Sequence, residues 1–228
     1  MPHHMHRGAL AASGLLAACL ASPCALAAGG HHSVDDAVIL EPGECNVEGW
    51  VTRSQNGARL LHGGTGCRVG PVELSAAGEL ARHDTASDTG WQLQLKWAHP
   101  LGGAVRAGFS ITPVWQAHLR SHFQGTTVAT LLTWQASETL TTHLNLGRDL
   151  LHGVPNQPRS GIAIEWAAGK QVSVLAERYL EDQTQFLRAG LRWSVGQDVT
   201  VDASRSQRLS GIRPSNWIVG ISRQFDVR

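Results

Sequence analysis

Gly90-Trp91-Gln92-Leu93-Gln94-Leu95-Lys96-Trp97-Ala98 is the stretch on which the fold turns. Successive side chains of an extended strand point to opposite sides, so Trp91, Leu93, Leu95 and Trp97 share one face and Gln92, Gln94 and Lys96 the other. A soluble β-sandwich also carries such alternation. Here, however, the pattern returns in segments near ten residues long from Gly90 to Phe225, often ending in Trp, as in an antiparallel up-and-down transmembrane β-barrel with an apolar outer face and a polar lumen.

Extending the pattern in both directions gives candidate strands at Asn46 to Arg53, Ala58 to Val69, Val72 to Arg82, Gly90 to Ala98, Ala104 to Gln116 and Thr126 to Gln135. Six more follow at Thr139 to Gly147, Ser160 to Ala167, Gln171 to Leu180, Gln185 to Ser194, Asp198 to Ser206 and Asn216 to Phe225. Twelve is an even number, which leaves both termini on one side of the membrane. Glycines and charges weaken the alternation in the first three segments, so ten strands preceded by a folded hairpin is the alternative. Of eight Trp, Trp91, Trp97, Trp115, Trp134, Trp166, Trp193 and Trp217 fall near ends of these segments, as an interfacial aromatic girdle requires. His99 to Gly103 and Ala168 to Lys170 read as tight turns, and Asp149 to Arg159, with Pro155 and Pro158, as a longer loop.

Residues 1–27 have the features of a cleaved signal peptide: Arg7, an apolar run from Gly8 to Leu20 too short to span a bilayer, and small residues before a cut after Ala27 or Ala28. Leu16-Ala17-Ala18-Cys19 also resembles a lipobox, with lipidation of Cys19 as the competing outcome. Residues 28–44 contain no alternating run and are expected to form an exposed periplasmic extension ahead of a barrel domain at 45–228. Without Arg7 the remaining chain carries 18 basic and 18 acidic residues, a balance that offers nothing to nucleic acid. The expected location is the outer membrane of a Gram-negative bacterium, with outer-membrane lipid and the barrel assembly machinery as partners. Cys45 and Cys67 are the cysteines left after the leader, and a hairpin turn at Asn56-Gly57 brings their strands together for a structural disulfide.

Face assignment predicts what the lumen holds. Ile162, Ile164 and Trp166 look outward with Glu165 inward, and Leu187, Ala189, Leu191 and Trp193 look outward with Arg188 and Arg192 inward. Glu165, Glu177, Arg188, Arg192, Asp202 and Arg205, joined by His143, are the candidate charged lumen. Such groups either form the constriction of a small-solute channel or pair across the interior as a plug.

His143-Leu144-Asn145-Leu146-Gly147, a strand ending in Glu165-Trp166, then Glu177, Ala189-Gly190-Leu191-Arg192-Trp193 and a last strand ending at Phe225 resemble the second half of meta-pathway phenol-degradation-type outer-membrane proteins. The resemblance covers roughly Gly90 to Phe225 and implies a small channel or transporter-like barrel. Its departure is at the C-terminus, where Asp226-Val227-Arg228 follow the aromatic residue on which such barrels usually end.

No cofactor is expected of a channel, but two chemistries are open. Cleavage after Ala28 would expose Gly29-Gly30-His31, whose amine, amides and imidazole suit square-planar copper(II) or nickel(II), with His32, Asp35 and Asp36 as supplements. This motif would give a non-transporting, metal-handling envelope barrel. Ser110, His143 and Glu165 are the residues a barrel lipid hydrolase would use, yet no spacing ties them together. His118 and His122 lack the Glu of a zinc-hydrolase helix and read as rim loop residues. The expectation is therefore a protein that is not an enzyme.

Overall fold

The structure is a computed structural model describing residues 31–227. The leader, Cys19 and the Gly29-Gly30 pair lie outside the described residues. Twelve antiparallel strands close into one barrel: β1 Glu44–Ser54, β2 Arg59–Val69, β3 Val72–His83, β4 Ala86–Gly102, β5 Val105–Gln116 and β6 Phe123–Gln135. The second half is β7 Leu140–Leu151, β8 Gln157–Ala167, β9 Val172–Glu181, β10 Thr184–Val195, β11 Val199–Ser210 and β12 Asn216–Asp226. Each strand pairs with its sequence neighbours. The seam joins β1 to β12 from Glu44↔Asp226 to Ser54↔Asn216, so no strand edge is left open. Strands of 11 residues, common here, are ~36 Å long at ~3.3 Å per residue and stand ~28 Å tall at the usual ~40° tilt. That height matches the apolar band of an outer-membrane barrel.

The alternation settles the strand count at twelve, and the ten-strand alternative fails because β1 to β3 pair along their whole length. Trp91, Leu93, Leu95 and Trp97 are exposed outside the barrel, as are Ile162, Ile164, Trp166, Leu187, Leu191, Trp193, Trp217, Val219 and Ile221. The outward Trp side chains form two belts. Trp97, Trp134, Trp166 and Trp193 ring the end that carries the chain termini, whereas Trp91, Trp115 and Trp217 ring the opposite, loop end. Trp50 is the exception: it lines the lumen and stacks on His62, with ring centroids 3.4 Å apart.

Two turn expectations are corrected. His99, Pro100 and Leu101 belong to β4, which runs to Gly102 with a register irregularity between Pro100 and Gly102. The loop expected over Asp149 to Arg159 shrinks to 152–156, because Asp149 and Arg159 continue the β7–β8 ladder and Pro158 sits opposite Arg148. The proline gives the ladder only its carbonyl, which makes it a poor strand signal in sequence.

The larger correction concerns the N-terminal extension. Residues 31–43, expected to be exposed, enter the barrel from the terminal end and cross its interior, burying Val34, Ala37 and Leu40 to within 2% of full enclosure. Val34 packs with the inward Ala163, Tyr179 and Phe186, and Ala37 with Ala129 and Leu131. These apolar residues recur every third position rather than every second. The segment is not a member of the sheet, so strand alternation gives no sign of it.

Candidate functional site

The lumen is built around the inserted segment. Near its root, Glu73 of β3 accepts from the Leu40 amide at 3.0 Å and Arg68 of β2 donates to the Leu40 carbonyl at 2.9 Å. Midway, Lys96 of β4 donates to both Asp35 and Asp36 at 2.8 Å, and the Ala37 amide donates to Thr133 of β6 at 2.8 Å. With its amide oriented to satisfy both groups, Asn145 of β7 accepts from the Asp35 amide at 2.6 Å and donates to the Asp35 carbonyl at 2.8 Å. At the tip, Glu177 of β9 accepts from the Val34 amide at 3.0 Å, Arg188 of β10 donates to the His31 carbonyl at 2.7 Å, and His31 Nε2 lies 2.7 Å from Ser204 Oγ of β11. The segment thus crosses diagonally from the β2–β4 wall to the β9–β11 wall, and barrel side chains supply backbone partners it would otherwise lack away from water.

The expected charged residues Glu165, Glu177, Arg188, Arg192, Asp202 and His143 all face the interior. Arg188 pairs with Glu177 at 2.6 Å, and Arg192 with Asp202 at 2.9 Å and Glu165 at 3.2 Å. His143 Nδ1 meets Thr133 Oγ1 at 2.9 Å, the hydroxyl that receives the Ala37 amide. Arg205 is the misassignment. Lying three residues from Asp202 in a strand of period two, it must take the opposite face, and its guanidinium rests over Trp217 at 4.9 Å on the outside.

Behind the segment, on the β1–β6 side, a cavity of about 380 Å³ remains. Ser75, Gln94 and Thr112 form a hydrogen-bonded rung across three strands of its wall, at 3.5 and 3.3 Å. Gln92, Ser110 and Thr127 continue that uncharged polar surface, and Glu48, Glu73 and Lys96 bring charge to it. A vestibule of about 730 Å³ opens at the loop end and shares His31, Ser33, Trp50, Val114 and Glu181 with the inner cavity. No sequence pattern separated this wall from the ion-paired one, since both alternate alike.

His31 and His32 sit at the segment's tip. Burial, helped by His32 and Arg188, pushes the His31 imidazole down to about 3, so it is neutral at physiological pH. Burial opposes charge on His32 as well, but Asp202 at 3.6 Å and Glu177 at 3.8 Å outweigh it and raise its pKa. Cys45 and Cys67 form the expected disulfide, directly opposite each other on β1 and β2. Ser110, His143 and Glu165 come from β5, β7 and β8, with His143 engaged by Thr133 and Glu165 by Arg192. His118 lies in the loop between β5 and β6, as does His122, which reaches the Gln116 carbonyl at 3.1 Å.

The family described as uncharacterised conserved protein UCP029691 matches residues 16–225. The chain belongs to that family. No curated protein matches it in sequence. Among solved structures, the KdgM porin superposes with a TM-score of 0.64 at 9% identity, covering 79% of this chain and 99% of its own. The NanC porin gives 0.58 at 12% identity over 78% of this chain and 98% of its own. The Ralstonia pickettii toluene transporter TbuX gives 0.53 at 10% identity over 83% and 90%. At these identities the likeness is one of fold, that of outer-membrane porin and transporter barrels.

Proposed function

We propose that the protein is an outer-membrane channel for small polar solutes, whose path runs along the β1–β6 wall beside the inserted N-terminal segment. One observation carries this reading: the inner cavity and the vestibule adjoin through His31, Ser33, Trp50, Val114 and Glu181, and the β3–β6 side of the inner cavity presents Ser75, Gln92, Gln94, Ser110, Thr112 and Thr127. Such a surface exchanges hydrogen bonds with water or a polar solute without a strong charge preference. The apolar outside and the two Trp belts support placement in the outer membrane, with its lipid and the barrel assembly machinery as partners. The porin and transporter folds of KdgM, NanC and TbuX support the same class. The resemblance of the second half to meta-pathway phenol-degradation-type proteins fits a transporter-like role too, although the polar cavity favours hydrophilic solutes. In this reading Glu165, Glu177, Arg188, Arg192, His143 and Asp202 hold the segment in place and do not set selectivity.

The segment itself favours a second reading, a non-transporting envelope barrel, since it occupies much of the lumen. Single-channel recording in planar bilayers separates the two. The channel reading expects small, weakly ion-selective steps from the processed protein and larger ones once residues 31–40 are deleted. A folded deletion variant that never conducts would leave the non-transporting barrel.

A further inference from the structure

Three potential metal ligands meet where the segment touches the wall. His31, His32 and Asp202 each present a ligand atom, all within 4.8 Å of one another. His31 Nδ1 is buried without a hydrogen-bond partner, and His32 Nε2, also buried, meets Asp202 at 3.6 Å, beyond ordinary hydrogen-bond distance. Buried imidazole nitrogens are rarely left so, because an unmet polar atom costs about 1–3 kcal/mol.

The surroundings are arranged as they are around bound metals. Ser204 takes Nε2 of His31 at 2.7 Å, a contact that restrains the ring as outer partners of metal-bound imidazoles do. Glu177 lies 3.8 Å from Nδ1 of His32, while Nε2 of that ring faces Asp202 at 3.6 Å. Arg192 donates at 2.9 Å to Asp202 Oδ1, the oxygen that His32 Nε2 faces. Gly220 keeps the space beside His31 open, since a Cβ there would stand 3.3 Å from Nδ1. Glu165, Glu177 and Asp202 bring carboxylates to this end of the lumen, where Arg188 and Arg192 pair with them.

We propose that His31, His32 and Asp202 bind a divalent transition metal, with two imidazoles and one carboxylate suiting Zn²⁺, and that the ion fastens the N-terminal segment to the barrel wall. With bonds of about 2.0–2.2 Å a tetrahedral ion brings its ligands to about 3.3–3.6 Å from one another, so the tip settles toward β11 on loading. A fourth position stays open to water. The site does not require the free amine of a Gly29-Gly30-His31 terminus and is independent of whether the barrel conducts.

The test is Zn²⁺ titration of the chelator-stripped, folded protein in detergent against a chromophoric chelator, with X-ray absorption at the zinc edge to count imidazoles. One Zn²⁺ per chain and two imidazoles are expected. His32→Gln and Asp202→Asn should each weaken binding at least tenfold, and Ser204→Ala about tenfold by freeing the His31 ring. Heat-modifiable gel migration confirms that each variant folds; Ser204→Ala keeps the test alive if Asp202→Asn does not insert. Blocking the N-terminal amine should change nothing. The site is overturned if folded wild-type protein takes up no stoichiometric Zn²⁺, or if binding survives His32→Gln and Asp202→Asn but vanishes when the amine is blocked.

Discussion

The two halves of the lumen wall use polar residues in opposite ways. From β8 to β11 the inward positions carry Glu165, Glu177, Arg188, Arg192 and Asp202, each buried or half-buried and committed to an ion pair or to the segment's backbone. From β3 to β6 they carry Ser75, Gln92, Gln94, Ser110, Thr112 and Thr127 along the cavity, with Glu73 and Lys96 reaching the segment from the same wall. Arginine–carboxylate pairs therefore mark the β8–β11 wall, while on β3 to β6 Glu73 and Lys96 bond the segment among neutral amides and hydroxyls. A buried ion pair fixes geometry because removing either partner leaves an uncompensated charge, whereas neutral amides and hydroxyls keep a wall wettable.

The strongest way to break this contrast is to remove the filling. Deleting residues 31–40 should raise single-channel conductance several-fold, and an unchanged conductance would show that the free cavity already defines the whole path. Next, Arg188→Met strands Glu177 and the His31 carbonyl, and should cost about 3–5 kcal/mol of stability in urea unfolding from lipid vesicles. A loss below 1 kcal/mol would contradict the clamp assigned to that wall. Gly161→Val acts without touching a charge. A Cβ at Gly161 would overlap Val34 Cγ2, so the variant should lose about 1–3 kcal/mol and expose the segment to protease while the barrel stays intact. Continued protection of residues 31–43 would place Val34 elsewhere. The smallest effect is expected from Gln94→Glu on the open wall: a shift toward cations in reversal-potential measurements, with stability changed by under about 1 kcal/mol. Equal stability losses from Gln94→Glu and Arg188→Met would erase the distinction between the walls.

The barrel was legible because lipid imposes a strict rule. Every second residue of Trp91 to Trp97, Ile162 to Trp166 and Leu187 to Trp193 must be apolar, and the lumen parity of Glu165, Arg188 and Arg192 follows directly. Asp202 obeys the same parity, and Arg205 fails it by one position. The inward aromatics Tyr179 and Phe186 were less visible, since apolar residues on a polar face make no periodic signal of their own. The segment escaped because its contacts are set by distant strands. Nothing within Val34 to Leu40 announces that Lys96 will meet both aspartates or that Glu73 will accept the Leu40 amide. The spacing of three at the buried Val34, Ala37 and Leu40 gave no local clue, because Val38 and Ile39 fill it with further apolar residues and only the lumen selects among them.

The bond between Cys45 and Cys67 lies one residue beyond Glu44, the point where the segment leaves the sheet. Cys45 is also opposite Phe225 of β12, so three strands meet there. Any tug on the segment would otherwise unzip the first residues of β1, the seam strand, from both neighbours. Crosslinked to β2, that strand end acts as a fixed fulcrum. Just ahead of it Gly43 turns the chain from the lumen into the wall at φ 87°, in glycine's range, with its carbonyl accepting from the Val227 amide at 2.8 Å, so the entry of the segment is tied to both chain ends of the barrel.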